Sequence, residues 1–427
     1  MMKKMMTVSI ICCIILSGCS AYAITEQESE AGQALYLVSR ITLEESEAIT
    51  CEDGFMKGIW ISQFDMHPIF RNGGEMRERS DYTKKVELIA KNLKRDGFNT
   101  VFLQLRPNGD SMYESEIYPN SKYIAGIYGG SIDYDAIEIF ISILKRENIS
   151  VHAWINPFRL CKKEELINYG EGVLFDWLNE GIGKRVEIAP NGILYLDPSY
   201  TEATDLITSG AKEILTRYDF DGIHLDDYFY PTEFEFDDEA EFLKSGFSDL
   251  GDFRRSNINR TVKALYSVCK EFNKSFGISP AGNIYSLENG WYVDIYNWLS
   301  NDGFVDYIMP QLYFGFNNKA CPFEQILLDW SSAVKSESVK LYIGLSAAKC
   351  ALGTDGIEDK YAGELGKFEW RDNKDILARS LNSIVSCDNA RGVCIFAYSS
   401  FYDVLNGSDN PKTKEEKSNF CDILKTI

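Results

Sequence analysis

Histidine is scarce in this sequence, and no residues are spaced as metal ligands. The three histidines are His67, His152 and His224, and no two of them lie at the short spacing of zinc ligands on one helix. The eleven cysteines include no Cys-X-X-Cys pair, so those from Cys51 to Cys421 are expected to be buried free thiols. We therefore expect no metal and no organic cofactor, which disfavours a metal-dependent polysaccharide deacetylase.

Positive charge is also in short supply. Lys and Arg number 44 against 64 Asp and Glu, which gives a formal net charge of −20 at pH 7. This balance argues against nucleic acid as a partner and against attachment to anionic lipid through a basic face, because both need clustered Lys and Arg. An uncharged or weakly charged substrate is expected, and the 24 Tyr and 7 Trp are compatible with stacking on sugar rings.

Only the first residues contain a long apolar run. Lys3 and Lys4 precede an apolar stretch that ends at Leu16-Ser17-Gly18-Cys19. This pattern predicts a signal peptide over residues 1–18, and its ending resembles a bacterial lipobox, in which the cysteine is acylated. Cleavage after Ala23 is the alternative. We expect a lipoprotein of the cell membrane or outer membrane that faces the periplasm or exterior, attached only through lipid on Cys19, because no later segment has eighteen uninterrupted apolar residues.

Residues 19–53 are polar and are interpreted as a tether, and from residue 54 strands alternate with helices. The predicted strands are Met56–Gln63, Thr100–Leu105, Ser150–Ile155, Gly222–Asp226, Ser275–Ser279, Val305–Gln311, Lys340–Leu345 and Gly392–Ala397. Helices are predicted near 82–95, 134–147, 202–217, 252–273, 290–300, 323–335 and 374–386. This α/β alternation predicts a (β/α)8 TIM barrel with loop insertions over residues 54–403, followed by a C-terminal extension over 404–427. A doubly wound sheet is the alternative, but no glycine-rich phosphate turn follows the first strand.

Residue parity within the strands supports a closed barrel. Aliphatic residues that face the helices alternate with residues that face the interior, as in Val101-Phe102-Leu103-Gln104. The interior residues become polar toward the C-terminal ends of several strands. Parity therefore aims Arg106, Asn156, Asp226 and Gln311 at one mouth of the barrel, where TIM-barrel enzymes hold their active sites.

The segment from Asp219 to Pro231 carries the strongest chemical signal. Asp226 ends the fourth strand with inward parity, beside a second aspartate and before three successive aromatic residues. These features predict a catalytic or direct substrate role for Asp226. Asp227 has the opposite parity, and two roles remain open for it, catalysis and capping of the next loop.

Six motifs in this order resemble one family, the bacterial lipoproteins called glycosyl hydrolase-like family ten, over roughly residues 55–403. The resemblance implies a TIM barrel outside the cytoplasm with glycosidase activity on glycan, including peptidoglycan glycan strands stripped of peptides. Asp197-Pro198 followed by Asp226 also resembles the wider α-glycosidase superfamily, in which the aspartate of strand four is the nucleophile. The six motifs are Lys57–Trp60, Gln104–Asp110, His152–Arg159, Tyr195–Pro198, Asp221–Pro231 and Ile308–Tyr313.

Glycoside hydrolysis needs a second carboxyl group as proton donor. Glu233 is the best candidate by position, because its aromatic-rich loop would keep a carboxyl group protonated through desolvation. The acidic run from Glu233 to Asp238 also fits a solvated surface. Asp227, Asp197 and Asp65 are the other candidates.

Further positions are predicted to contact or support the substrate. Parity places His224 one inward step below Asp226. The complete predicted binding set is Arg106, Trp154, Asn156, Asp197, His224, Gln311, Tyr313 and Tyr398. Arg106 also fits a buried ion pair, and Trp154 also fits a core position. A non-catalytic glycan-binding lipoprotein on a degenerate TIM barrel is the alternative to an enzyme.

Overall fold

The computed structural model describes residues 54–226, 229–231 and 234–427. Residues from Met56 to Ile427 form one compact unit. The predicted signal peptide, the tether and Cys19 lie outside the described residues, as do Asp227 and Glu233.

Eight parallel strands close into a barrel, as the alternation of strands and helices predicts. Each strand pairs with the next in the chain, and the first pairs with the last. The predicted TIM-barrel fold is thereby confirmed. The strands are β1 (Met56–Ile61), β2 (Thr100–Arg106), β3 (Ser150–Ile155), β4 (Gly222–Leu225), β5 (Ser275–Ile278), β6 (Tyr307–Ile308), β7 (Lys340–Ser346) and β8 (Ala390–Phe396).

A helix of the outer layer follows each strand. In the second of them, Asp135 caps the first turn by accepting a 3.0 Å hydrogen bond from Glu138 N. Its buried residues Ile137, Phe140, Ile141 and Leu144 recur at helical spacing and face the strands. The outer helices are α1 (Arg79–Arg95), α2 (Ala136–Arg146), α3 (Thr201–Arg217), α4 (Leu250–Glu271), α5 (Ile295–Ser300), α6 (Phe323–Ala333), α7 (Ile376–Val385) and α8 (Lys414–Leu424).

Residues 404–427, interpreted from the sequence as an extension, contain the eighth outer helix. Lys417 of α8 forms a 2.7 Å ion pair with Asp96, directly after α1. The Nζ atom of Lys57 on β1 donates a 2.9 Å hydrogen bond to the carbonyl of Leu424. These contacts make α8 part of the barrel and close its helical layer.

The interior of the barrel is filled by large side chains and is not a pore. Trp60, Phe102, Trp154 and Tyr307, from four different strands, belong to one buried cluster. Gly277 of β5 allows Tyr307 to enter, because a Cβ at Gly277 would lie 2.1 Å from the Tyr307 ring. This filling confines any substrate to the mouth, the end where the C-termini of the strands meet.

The connections at the mouth contain additional elements. Between β3 and α3, an antiparallel sheet is formed by Arg159–Lys162, Ile193–Leu196 and Val186–Ile188, in that spatial order. A hairpin pairs Arg71–Asn72 with Glu75–Met76. The additional helices are Gln63–Phe70, Lys122–Ala125, Lys163–Tyr169, Val173–Glu180, Glu239–Ser245, Ile284–Ser286 (3-10), Leu287–Gly290, Ala347–Thr354, Gly363–Gly366, Glu369–Asp372 and Tyr398–Phe401.

The seven cysteines of the described residues are free thiols, as expected, and all but the half-buried Cys387 are buried. Within residues 54–226, 229–231 and 234–427, no helix has the length and apolar character needed to cross a membrane.

Candidate active site

Asp226 lies at the mouth, directly after the last residue of β4. Its side chain is buried, with 5% of its surface exposed. Ile155 of β3 and Ile278 of β5 both pair with Leu225. The following residues, Asn156 and Ser279, therefore flank Asp226 on the two neighbouring strands.

A chain of hydrogen bonds reaches Asp226 from the β1 side. Asn156 Nδ2 donates to Asp226 Oδ2 at 2.8 Å. Gln104 Nε2 donates to Asn156 Oδ1 at 2.8 Å, and the backbone N–H of Gln63 donates to Gln104 Oε1 at 2.8 Å. All four residues are buried, so the structure brings the predicted site residues Asp226 and Asn156 into direct contact.

Polar groups also lie on the β5 and β6 side of Asp226. The Ser279 hydroxyl is fully buried and makes no hydrogen bond to any described residue. Since a buried hydroxyl without a partner costs about 1–3 kcal/mol, Ser279 is a candidate contact for a substrate hydroxyl. Gln311 Nε2 donates to the Ser279 carbonyl at 3.2 Å, and Tyr313 stacks on Phe396 with ring centroids 6.0 Å apart.

Arg106 does not follow the alternation predicted for β2. The register between β2 and β3 shifts between Gln104 and Arg106, so Arg106 pairs with the helix-facing Ile155. A β-bulge adds a residue and reverses the parity beyond it. The Arg106 guanidinium donates to Tyr118 Oη at 2.5 Å and to the carbonyls of Asn156 and Pro157. These bonds hold the segment that carries Asn156, and the prediction of inward parity for Arg106 is wrong.

His224 and Trp154 lie one layer below the mouth, inside the barrel. Trp60 Nε1 donates to His224 Nε2 at 3.2 Å, so His224 carries its proton on Nδ1, 3.1 Å from Tyr307 Oη. Burial holds the pKa of His224 well below its ordinary value, and the imidazole is neutral. Trp154 belongs to the buried cluster, and its indole Nε1 has no hydrogen-bond partner among the described residues.

Asp197 follows the inserted strand Ile193–Leu196 and is completely buried. One carboxylate oxygen accepts a 2.7 Å hydrogen bond from Ser199 N. Burial, together with the nearby charges of Asp238 and Glu187, raises the pKa of Asp197 to about 7. A carboxyl group with this pKa holds a proton near neutral pH, as a general acid must.

Two other predicted positions have structural contacts instead. Asp65 caps the helix after β1, accepting hydrogen bonds from Ser62 N at 2.7 Å and from Ser399 N at 3.1 Å. Tyr398 is fully buried, stacks on Tyr402 at 4.7 Å and places its hydroxyl 3.4 Å from Asn92 of α1. These contacts place the Tyr398 ring against α1 and Tyr402, within the short helix Tyr398–Phe401 that follows β8.

Four further residues emerge from the geometry. Gln104 could have been identified from the sequence, because it is an amide with inward parity inside an apolar strand. Ser279 could not, because it ends its strand with no motif beside it. Burial raises the pKa of Asp110 to about 6 and, with the charge of Asp237, that of Glu187 to about 7. No group of three His, Cys, Asp or Glu side chains suited to a metal ion exists in the part of the chain that the structure describes.

Comparison with known proteins identifies a family. The family described as Glycosyl hydrolase-like 10 matches residues 55–362. The glycosyl hydrolase YngK of Bacillus subtilis (strain 168) is 31% identical over 326 residues, which are 70% of this chain and 61% of the relative. The glycosyl hydrolase DigH of Escherichia coli (strain K12) is 29% identical over 330 residues, which are 69% of this chain and 73% of that relative.

Solved structures share the barrel at low sequence identity. The glycoside hydrolase domain of PgaB (BpsB) from Bordetella bronchiseptica is 12% identical with a TM-score of 0.55, over 81% of this chain and 95% of that domain. The catalytic domain of a β-amylase from Paenibacillus polymyxa is 11% identical with a TM-score of 0.52, over 87% of this chain and 99% of that domain. These likenesses concern the fold alone. The match over residues 55–362 confirms the resemblance found in the motifs, and the chain belongs to the Glycosyl hydrolase-like 10 family.

Proposed function

We propose that this protein is a lipid-anchored glycoside hydrolase that cleaves glycan chains, with Asp226 as its nucleophile or base. One observation carries the proposal: Asp226 is buried at the mouth of the barrel and accepts a hydrogen bond from Asn156. A hydrogen bond donated to a carboxylate favours its ionised form, which is the form that attacks carbon or accepts a proton from water.

The reaction divides between two carboxyl groups. A protonated acid donates its proton to the glycosidic oxygen as the bond from that oxygen to the anomeric carbon breaks. Asp226 either attacks the anomeric carbon, after which water releases the sugar, or takes a proton from the water that attacks directly. The anomer first released distinguishes these routes, because the covalent route retains the configuration and the direct route inverts it.

The acid has two leading candidates. Glu233, predicted from its aromatic-rich loop, lies outside the described residues, as does the next candidate in that loop, Asp227. Asp197 is described, and its raised pKa of about 7 suits a proton donor. Its place directly after Ile193–Leu196, within the insertion between β3 and α3, supports this role.

We further propose peptidoglycan glycan strands as the substrate class and the cell membrane or outer membrane as the location. The lipobox-like ending at Cys19 supports an anchor outside the cytoplasm, where peptidoglycan lies. Strands stripped of peptides carry fewer carboxylates than intact peptidoglycan, which suits a chain with a formal net charge of −20. The whole activity stays a proposal, since the chain spans 61% of the length of the Bacillus relative.

Product analysis tests the function directly. Wild type and Asp226→Asn are incubated with peptide-free glycan strands, intact peptidoglycan and a panel of neutral polysaccharides, and products are identified by mass spectrometry. We expect new reducing ends from peptide-free strands with wild type and none with Asp226→Asn. If only another polysaccharide is cleaved, that polysaccharide replaces peptidoglycan strands as the substrate class. Binding without new reducing ends after long incubation would show a glycan-binding lipoprotein instead of an enzyme.

A further inference from the structure

We infer that Gln104 is a positioning residue that fixes the direction of a hydrogen-bond relay ending on the Asp226 carboxylate. The inference rests on the proposed function, in which Asp226 reacts as a carboxylate. It adds a residue that lies two strands from Asp226 and acts through Asn156.

The relay has one possible direction because it begins at a backbone amide. The Gln63 N–H can only donate, so the Gln104 atom 2.8 Å away must be the oxygen Oε1. Gln104 then donates from its Nε2 to Asn156, which must accept with its oxygen Oδ1. Asn156 is left with its Nδ2 toward Asp226, where it donates at 2.8 Å. Each amide orientation thus follows from the previous one.

Local structure keeps the first donor available. Gln63 begins the helix Gln63–Phe70, and the N–H groups of Ser62 and Asp65 are taken by a capping box in which each residue's side chain accepts from the other's backbone. The Gln63 N–H is outside this box and points to Gln104. The loop after β1 is therefore coupled to Asp226 through β2 and β3.

Burial strengthens the coupling. Gln63, Gln104 and Asn156 are 4%, 4% and 1% exposed, so water does not compete for their amides. An amide turned the wrong way in such a site would face oxygen to oxygen, and that arrangement is costly in a low-dielectric interior. Asn156 turned in this way would present its oxygen to Asp226 and disfavour the carboxylate.

Other charged and titratable groups lie on the strands around Gln104 and contribute to the pH dependence of kcat. They are Asp65 after β1, Arg106 on β2, His152 on β3, His224 on β4 and Tyr307 on β6. Burial lowers the pKa of His152 to about 4 and holds that of His224 lower than usual, so both imidazoles stay neutral across the assay range above pH 5. Asp110 and Asp197, whose pKa values are raised by burial to about 6 and about 7, titrate within this range in wild type and variants alike. The ratio of a variant to wild type therefore isolates the ionisation of an acid introduced at position 104.

Two substitutions of Gln104 separate the relay from packing and from charge. Gln104→Glu keeps the size and the acceptor for Gln63, but its ionised form cannot donate to Asn156. When protonated it donates again. Gln104→Met keeps the approximate volume and carries neither donor nor charge. The control Gln325→Glu adds the same charge on the exposed face of α6.

The test measures kcat and KM from pH 5 to 8 for wild type and the three variants, with thermal unfolding to verify folding. We expect both Gln104 variants to lower kcat at pH 7 by about tenfold, with KM changed less than kcat, because misplacing a reacting group by about 1 Å costs up to about a hundredfold. The ratio of Gln104→Glu to wild type should rise as pH falls, because the protonated acid donates to Asn156 again, while that of Gln104→Met should not rise. Gln325→Glu should match wild type.

Three outcomes would overturn the inference. If Gln104→Met matches wild type and only Gln104→Glu loses activity, the effect is charge and not the relay. If both lose activity equally at every pH, Gln104 contributes packing. If neither changes kcat, the relay does not support Asp226.

A readout independent of turnover separates this inference from the proposed function. Carbon-13 NMR of carboxyl-labelled aspartate, with the Asp226 signal identified by its loss in Asp226→Asn, follows ionisation directly. We expect the Asp226 carboxyl to titrate at higher pH in both Gln104 variants than in wild type, even in a protein that releases no product. An unchanged Asp226 titration would refute the relay, whereas absent product in wild type would refute only the glycosidase.

Discussion

The side-chain amide of Asn156 donates a hydrogen bond of 2.8 Å from Nδ2 to Oδ2 of Asp226, with both residues buried at the mouth of the barrel. The contact joins the C-terminal ends of β3 and β4, which are neighbouring strands with Ile155 and Leu225 in register. It holds one rotamer of the carboxylate and favours its charged form. The mouth therefore contains a carboxyl group whose orientation is fixed by a neighbouring amide.

Asp226→Asn should abolish turnover while preserving the fold. The substitution is nearly isosteric but removes the carboxylate that, in the proposed reaction, attacks the anomeric carbon or accepts a proton from water. We therefore expect kcat to fall by about a thousandfold or more. The control is Asp221→Asn at the opposite end of β4, where the carboxylate accepts from Val151 N at 2.7 Å and pairs with Lys145. That variant should lower the unfolding temperature and leave kcat unchanged. Retention of more than about a tenth of wild-type kcat in Asp226→Asn would remove the residue from the catalytic role.

Asn156→Asp should shift the acidic limb of the kcat/KM profile to higher pH. The new carboxylate replaces a donor with a like charge beside Asp226, and a neighbouring like charge disfavours ionisation. We expect a shift of about one pH unit or more, with lower kcat at neutral pH. Asn156→Ala removes the donor without adding charge and should shift the limb less. Profiles of both variants that match wild type would mean that the amide does not act on Asp226.

The barrel could be predicted from the sequence because strands and helices alternate regularly along it. Aliphatic alternation in β2, β3 and β7 and the apolar face of helices such as α2 mark each element independently of the rest of the fold. The eighth helix is hard to predict from the sequence, because Glu416 and Lys417 are charged yet buried. Their burial is balanced by bonds to Leu377 N and to Asp96, which a local pattern does not reveal.

The candidate site was predictable where strands stay in register and not where they deviate. Asp226 and Asn156 meet because register and parity hold to the ends of β3 and β4. Arg106 departs because a bulge precedes it, and Tyr398 departs because a helix begins there and ends the alternation of the strand. Glu187 lies on an inserted antiparallel strand, whose position relative to the barrel does not follow from the βα repeat.

Glu187→Gln should make the stability of the folded protein less sensitive to rising pH. The raised pKa of Glu187, about 7, means that the folded state holds a proton more tightly than the unfolded chain does. Its stabilising contribution is therefore complete below the unfolded pKa of about 4.3 and is lost as pH rises toward 7. The variant keeps a neutral side chain throughout, so its unfolding temperature relative to wild type should rise by about 3 °C between pH 5 and 8. A constant difference across this range would contradict the raised pKa.

Cys19→Ala should abolish lipid attachment. In a lipoprotein the acyl chains are linked to this cysteine and hold the protein in the membrane. We expect wild type in the membrane fraction with a lipid-modified N-terminal peptide by mass spectrometry, and Cys19→Ala either as uncleaved precursor or as soluble protein cleaved after Ala23. Cys51→Ala is the matched control and should fractionate like wild type. Soluble wild type that begins at Ile24 would show that the lipobox interpretation is wrong.

The general acid is identified by the leaving group of the substrate. An acid assists departure of a poor leaving group, such as a sugar hydroxyl, and contributes little when an activated aryl group departs. If Glu233 is the acid, Glu233→Gln should lower kcat on natural glycan by about a hundredfold or more and change the rate on aryl glycosides far less.

Asp197→Asn provides the competing measurement on the same pair of substrates. If Asp197 donates the proton, its variant should show the selective loss, and wild-type activity on natural glycan should fall as pH rises through about 7, where Asp197 loses its proton. That basic limb should be absent in Asp197→Asn. Asp226→Asn serves as the reference, because loss of the nucleophile or base damages both substrates alike. If Glu233→Gln and Asp197→Asn both leave the two rates unchanged, neither residue is the acid, and Asp227 is the next carboxyl group to substitute.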